Sequence, residues 1–129
     1  MRRTREHEIQ AIFGLTAEKK FEHFVKRVAD EGIAWGLWDD GWALMTTSDG
    51  AIVFPLWPAP EYAELNRIGD WTKYTPREIP LADLLEKLIP SLAEKGVCLG
   101  IIPTPNGKGG TLPPEDLICA LRKELEKYP

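Results

Sequence analysis

The amino-acid sequence predicts an α+β protein in which a three-stranded antiparallel meander is extended into a mixed sheet and covered by helices. The first observation is the stretch 33–57, where short apolar segments are separated by two Asp-Gly turns. The second is the apolar spacing of residues 21–28 and 81–92, which has the period of a helix. The third is the wholly apolar segment 97–102, which is typical of a buried inner strand. Together they predict the order α-βββ-α-β-α-β-α.

The first clear helix has recognisable ends. Thr16 is a typical N-cap residue, and Gly32 is typical of the position where a helix stops. The inner stripe between them consists of Phe21, Phe24, Val25 and Val28. The opposite side is expected to face solvent, and it carries Lys19, Lys20, Glu22, His23, Lys26, Arg27 and Asp30. We therefore interpret His23 as a surface residue without a catalytic or metal-binding role.

The meander follows this helix directly. Its strands are expected at 33–38, 42–47 and 51–54. Asp40-Gly41 predicts a type I′ hairpin turn, and Ser48-Asp49-Gly50 predicts the second turn. Pro55 and Pro58 are expected to end the third strand, because proline cannot donate a ladder hydrogen bond. Consecutive hairpin turns lie at opposite ends of a sheet, so these aspartates indicate turns rather than a shared cation site.

The second half alternates helices and strands. A short helix is expected at 58–66, an extended segment at 71–79 and a leucine-rich helix from residue 81, with Pro90 predicting a kink or break inside it. The loop 103–110 separates the inner strand from a last helix that begins near Pro113. No repeat or linker divides the chain, so we expect a single domain over 1–129, with residues 1–15 as a poorly ordered or partly helical arm.

Composition excludes several functional classes. The 129 residues carry a net charge of −4, which argues against nucleic acid as a partner. The longest apolar run falls short of the roughly 20 residues that a membrane-spanning helix needs, and the basic N-terminus leads into no apolar signal segment. Cys98 and Cys119 lie in apolar contexts typical of buried free thiols, and we expect a cytoplasmic protein.

Known catalytic and metal motifs are incomplete in this sequence. A phosphate-binding P-loop at Gly107-Lys108 would need glycine at position 102 and serine or threonine at 109, which hold Ile102 and Gly109. His7-Glu8 begins like a zinc-protease helix, but Ala11 stands where the second histidine is required. We therefore predict no catalytic residues, no metal site and no cofactor.

The tryptophans are the remaining candidates. Five in a chain of this length exceed ordinary usage, and plain core packing competes with a recognition surface as the reason. Trp35 and Trp42 are expected to point into the core. The residues predicted to bind a protein partner are Trp38, Trp57, Tyr62 and Trp71. The alternative is a small-molecule or phosphate-binding domain, enzymatic or not, in which Asn106 and Lys108 of the 103–110 loop contact the ligand.

Spaced motifs across residues 18–125 resemble a known family. They include Trp35-Gly36-Leu37, Asp39-Asp40-Gly41-Trp42, Phe54-Pro55-Leu56-Trp57-Pro58, Ile79-Pro80-Leu81 and Ile102-Pro103-Thr104-Pro105. Together they resemble domain-of-unknown-function family 2750, a set of small prokaryotic proteins to which no activity is assigned. A weaker likeness is to the N-terminal domain of the enhanced-serine-sensitivity protein family. The first resemblance implies no activity. The second favours binding over catalysis, because similar small α+β domains serve as interaction or immunity-type modules, although a fold does not fix a function.

Overall fold

The computed structural model describes residues 6–105 and 110–128 and confirms the α+β class. The helices are α1 (Glu6–Phe13), α2 (Ala17–Glu31), α3 (Pro60–Glu64), α4 (Leu81–Asp83), α5 (Ile89–Glu94) and α6 (Pro114–Leu125), with a 3₁₀ turn at Gly69–Trp71 and a π-helical turn at Leu84–Leu88. The strands are β1 (Ile33–Trp38), β2 (Met45–Thr46), β3 (Ile52–Leu56), β4 (Thr75–Pro80), β5 (Cys98–Ile101) and β6 (Thr111–Leu112). Of the predicted N-terminal arm, residues 6–13 are helical, and residues 1–5 lie outside the described residues.

The strands form two ladders that meet at a tryptophan pair. In the first, β1 and β4 run antiparallel. In the second, the order β2-β3-β5-β6 places a parallel β3–β5 pair between two antiparallel pairs. A mixed sheet is therefore present as expected, but β1 lies outside its ladder and β6 was not predicted. Trp35 and Trp57 exchange two backbone hydrogen bonds of 2.9 Å each, and this bridge connects β1 to the end of β3.

The predicted meander is present only in part. The β2–β3 hairpin forms as expected, but the ladder partner of β1 is β4, and the turn at Asp40 is closed by a single bridge between Trp38 and Trp42. The Trp42 ring lies over Gly36, where an added Cβ would approach the ring to 2.9 Å. The chain after Asp40 therefore covers a face of β1 instead of extending its ladder.

Pro55, expected to end the third strand, lies inside β3, whereas Pro90, expected to kink or break its helix, lies just after an irregular turn. The pairing of β2 with β3 ends at Val53. Pro55 lies further along β3, where no β2 residue needs a hydrogen bond from its amide, so the strand continues through the proline. Pro90 follows the π-helical turn, in which the Ile89 amide donates to the Leu84 carbonyl five residues back. This wider turn carries the helical path past the proline.

The ends of α2 are confirmed, but its solvent-facing side is not. Thr16 accepts a hydrogen bond from the Lys19 amide, and Gly32 adopts the left-handed conformation with φ of 75°. Lys20 and Arg27 are buried, in contrast to the prediction. The Lys20 ammonium donates to the carbonyl of Ile102 at 3.1 Å, and desolvation by burial lowers the pKa of Lys20. Arg27 forms a 2.6 Å ion pair with Glu31.

A core cluster of apolar side chains extends from Ile9 in α1 to Leu121 in α6 and includes both ladders. No helix in the described part of the chain is long and apolar enough to cross a membrane. Cys98 and Cys119 are free thiols, as expected, but Cys119 is exposed and Cys98 is half-buried. The prediction that both are buried is therefore wrong, because Cys119 lies on the exposed side of α6 and Cys98 is the first residue of β5.

Candidate functional site

Burial separates the four residues predicted to bind a partner. Trp57 and Tyr62 are both 0% exposed, whereas Trp38 and Trp71 are half-buried. The exposed position expected for Trp57 is corrected, because its indole N–H donates to the Pro103 carbonyl at 3.1 Å inside the core. Partner binding itself stays a prediction, and direct contact requires a side chain that reaches the surface.

Trp35 and Trp42, predicted to point into the core, are half-buried. The fully buried tryptophan is instead Trp57, at the end of β3. The turn after β1 folds Trp42 over Gly36, where its ring packs against buried Phe54 at a centroid distance of 5.5 Å and covers the core without being enclosed by it.

Trp71 is held at the surface by a tight turn. Gly69 supplies a φ of +58°, and the Trp71 amide donates to the Ile68 carbonyl at 3.0 Å. The inner part of the Trp71 ring meets Trp57 edge to face, with centroids 6.2 Å apart and an interplanar angle of 89°. Trp57 therefore forms the buried support against which Trp71 is placed.

A cavity of about 450 Å³, here called the Trp71 groove, lies beside this turn. Its lining residues are Leu44, Met45, Thr46, Asn66, Ile68, Asp70, Trp71, Thr104 and Pro105. Leu44 is 48% exposed and Ile68 is 53% exposed, although both side chains are large and apolar. The groove thus combines an aromatic wall with two apolar side chains that the fold leaves in water.

Contacts with the rest of the fold hold two lining residues of the Trp71 groove, Asn66 and Met45, in place. Asn66 is 2% exposed, and its amide donates to the Tyr62 carbonyl at 2.9 Å. The Met45 methyl group lies over the sheet, 3.1 Å from where a Cβ on Gly100 would stand. These contacts fix the groove in the folded state, so a partner would meet a largely pre-formed surface.

The described lining of the Trp71 groove carries little charge. Of the described residues that line it, Asp70 alone is charged, and its side chain is on the exposed 3₁₀ turn. The other lining residues are apolar or neutral. The groove therefore favours an apolar group accompanied by a positive charge.

Trp38 belongs to a second surface cluster. It lies edge to face with Trp42 at 5.0 Å, and the Arg77 guanidinium stands 4.2 Å from the Trp38 ring centroid. Trp38 is absent from the lining of the Trp71 groove. The structure therefore does not gather the predicted tryptophans at one site.

The loop predicted to bind a small ligand is described only at its edges, because Asn106 and Lys108 lie outside the described residues. A cavity of about 340 Å³ is lined by Gly110 and by the first residues of α2. Its described lining includes Glu18 and Asp116. Two carboxylates disfavour a phosphate there, so this cavity does not support the phosphate form of the ligand hypothesis, and binding of another small molecule stays a prediction.

A larger cleft of about 710 Å³ lies between α2 and α6. It is lined by charged groups of both signs, including Lys26, Asp30 and Glu124. Among the residues that the structure describes, no group of three or more His, Cys, Asp or Glu side chains could hold a metal ion. Nothing in this cleft matches a catalytic arrangement of the kinds sought in the sequence.

Sequence reasoning missed Leu44 and Ile68, the two exposed large apolar side chains of the Trp71 groove. Leu44 lay in a predicted strand, where an apolar residue is expected to be half-buried. Ile68 stands alone between Arg67 and Gly69, outside any helical or strand period. An isolated apolar residue beside a turn glycine is the only available signal, and it is weak.

Comparison with known protein families matches residues 21–121, more than three quarters of the chain, to the family described as "Protein of unknown function (DUF2750)". Searches of curated proteins and of solved structures each found no match. The matched segment includes β1 to β6, the Trp71 groove and the pair of Trp38 and Trp42. The chain belongs to the DUF2750 family.

Proposed function

We propose that this protein is a non-enzymatic protein-interaction domain that binds its partner through the Trp71 groove. The supporting observation is that Leu44 and Ile68, 48% and 53% exposed, line the same groove as Trp71. Covering such surface contributes about 25 cal/mol for each Å² of apolar area removed from water. Exposed apolar surface gathered at one concave site is a feature of docking surfaces rather than of scattered surface residues.

The proposed occupant is a protein segment with an apolar side chain next to a lysine or arginine. The apolar side chain would rest between Ile68 and the Trp71 ring, and the cation would face Asp70. Rim charges of this kind mainly set specificity and the association rate, whereas the buried apolar group supplies most of the affinity.

We further propose that the domain works in the cytoplasm of a prokaryote. Support for a reducing compartment comes from Cys119, an exposed thiol without a disulfide partner. The prokaryotic source rests on the motifs shared with the family.

The test uses two variants of equal chemistry, Ile68→Glu in the groove and Leu15→Glu outside it. Leu15 is 38% exposed and lies between α1 and α2, so it matches Ile68 in kind without lining the groove. We expect a protein that co-purifies with the native chain from its own cells to be lost with Ile68→Glu and retained with Leu15→Glu. Quantitative mass spectrometry of the co-purified proteins provides the measurement.

A second copy of the chain is the other occupant to be distinguished. Sedimentation of the purified protein over a range of concentrations reports self-association directly. Dimerisation that Ile68→Glu abolishes would assign the groove to a homodimer and contradict the proposed partner. Equal recovery of every co-purifying protein with the native chain and both variants would contradict docking at this groove.

A further inference from the structure

Arg77 has an environment unlike that of the arginines in ion pairs. Arg27 and Arg67 bind Glu31 and Glu64 within 2.6 and 2.8 Å, whereas Arg77 contacts two indole rings. Its guanidinium carbon stands 4.2 Å from the centroid of Trp38 and 5.8 Å from that of Trp42. Arg77 is exposed, so these rings hold a cation at the protein surface.

The β1–β4 ladder explains how this arrangement is built. Arg77 of β4 is paired with Gly36 of β1, and paired residues project to the same face of a sheet. Because Gly36 has no side chain, the Trp42 ring occupies that place, and Trp38 lies two residues along on the same face. The two rings pack edge to face at 5.0 Å, which fixes the surface on which the guanidinium rests.

Stacking uses the flat face of the guanidinium and leaves its N–H groups along the edge. A guanidinium edge presents parallel N–H donors that match the two oxygens of a carboxylate. The indole rings restrict the rotamers of the long side chain, so less conformational entropy is lost when a carboxylate binds. The cluster thus has the chemistry of an anion receptor in a chain whose net charge is −4.

We propose that Trp38, Trp42 and Arg77 form a carboxylate-binding site that receives an aspartate or glutamate side chain from an acidic protein segment. The site is independent of the Trp71 groove, which favours a cation through Asp70. Asp39 and Asp40 are exposed in the turn that follows Trp38, so a long polyanion such as nucleic acid, whose phosphates would extend over this turn, is disfavoured. A segment that presents one carboxylate to Arg77 fits this pattern.

The experiment follows the indole N–H resonances of the ¹⁵N-labelled full-length chain during titration with a blocked tetraglutamate peptide. Trp38→Phe and Trp42→Phe variants assign the two resonances. We expect a saturable shift of both resonances with tetraglutamate, no shift with blocked tetraglutamine, and a weaker response to acetate at equal carboxylate concentration. Arg77→Lys keeps the charge but loses the planar fork, and it should weaken peptide binding about tenfold.

Arg122→Lys in α6 is the matched control, because Arg122 is also exposed but has no ring beneath it in the described structure. This variant should bind tetraglutamate like the native chain. Unchanged affinity in Arg77→Lys, or the absence of a saturable shift in the native chain, would overturn the proposal. An acetate response equal to that of the peptide would overturn the assignment to a protein segment. None of these outcomes depends on the Trp71 groove.

Discussion

Trp57 and Trp71 form one edge-to-face pair, 6.2 Å apart, yet they belong to different parts of the molecule. Trp57 is 0% exposed and donates its indole N–H to the Pro103 carbonyl, 46 residues along the chain. Trp71 is half-buried on a short turn and lines an open groove. The number of tryptophans in a chain therefore does not indicate how many of them are available to a binding partner. The backbone element that holds each ring, and the partner of its N–H, decide whether it is core or surface.

The largest expected effect separates the two members of this pair. Trp57→Ala should lower the free energy of unfolding by about 3–5 kcal/mol, because it leaves a cavity and an unpaired Pro103 carbonyl in the core. Trp71→Ala should cost clearly less, since its ring is already partly solvated. Urea denaturation followed by circular dichroism measures both values. Equal decreases in the free energy of unfolding for the two variants would contradict the assignment of Trp57 to the core and Trp71 to the surface.

The second prediction concerns the floor of the Trp71 groove. Gly100→Ala would place a Cβ 2.9 Å from Val53 and 3.1 Å from the Met45 methyl group, and the overpacking should cost about 1–3 kcal/mol. Gly14→Ala is the control, because its Cβ would meet only carbonyl oxygens at 3.6 Å. The same denaturation experiment tests this pair, and a Gly100→Ala protein as stable as Gly14→Ala would show that the floor is not closely packed.

The smallest effect is a pH dependence from Lys20, whose pKa is lowered by burial. The unfolded chain holds the Lys20 proton up to the ordinary value of 10.5, and the folded chain releases it earlier. Stability should therefore rise with pH between the lowered pKa and 10.5, because the unfolded state binds more protons. Lys20→Met removes this group, so the native chain should gain stability relative to the variant over that window. If the difference in the free energy of unfolding between the native chain and Lys20→Met stayed the same at every pH in urea denaturation, this assignment would be contradicted.

Local signals in the sequence predicted the elements well. Thr16 and Gly32 mark the ends of α2 through hydrogen bonds and a left-handed φ that involve only near neighbours. The apolar segment 97–102 contains β5, and the turn at Gly50, with φ of +88°, closes the β2–β3 hairpin. In each case the residues that decide the structure lie within a few positions of one another.

Long-range partners account for the errors. Lys20 is buried because the Ile102 carbonyl, 82 residues away, accepts its hydrogen bond. β1 pairs with β4 across the whole of β2, β3 and α3, which no local turn signal reveals. Trp71 was predicted to lie at the surface, which agrees with its half-buried position. The shared groove of Leu44 and Ile68 could not be predicted, because it depends on the 3₁₀ turn lying beside β2.

The most direct test of the Trp71 groove is photo-cross-linking in the native cell. A photoreactive amino acid replaces Ile68 in one protein and Leu15 in another, since both positions are exposed and apolar. The proposed docking predicts one discrete adduct with a second protein from position 68 and none from position 15. The absence of an adduct at position 68, or the same adducts from both positions, would contradict the claim that this groove binds a partner.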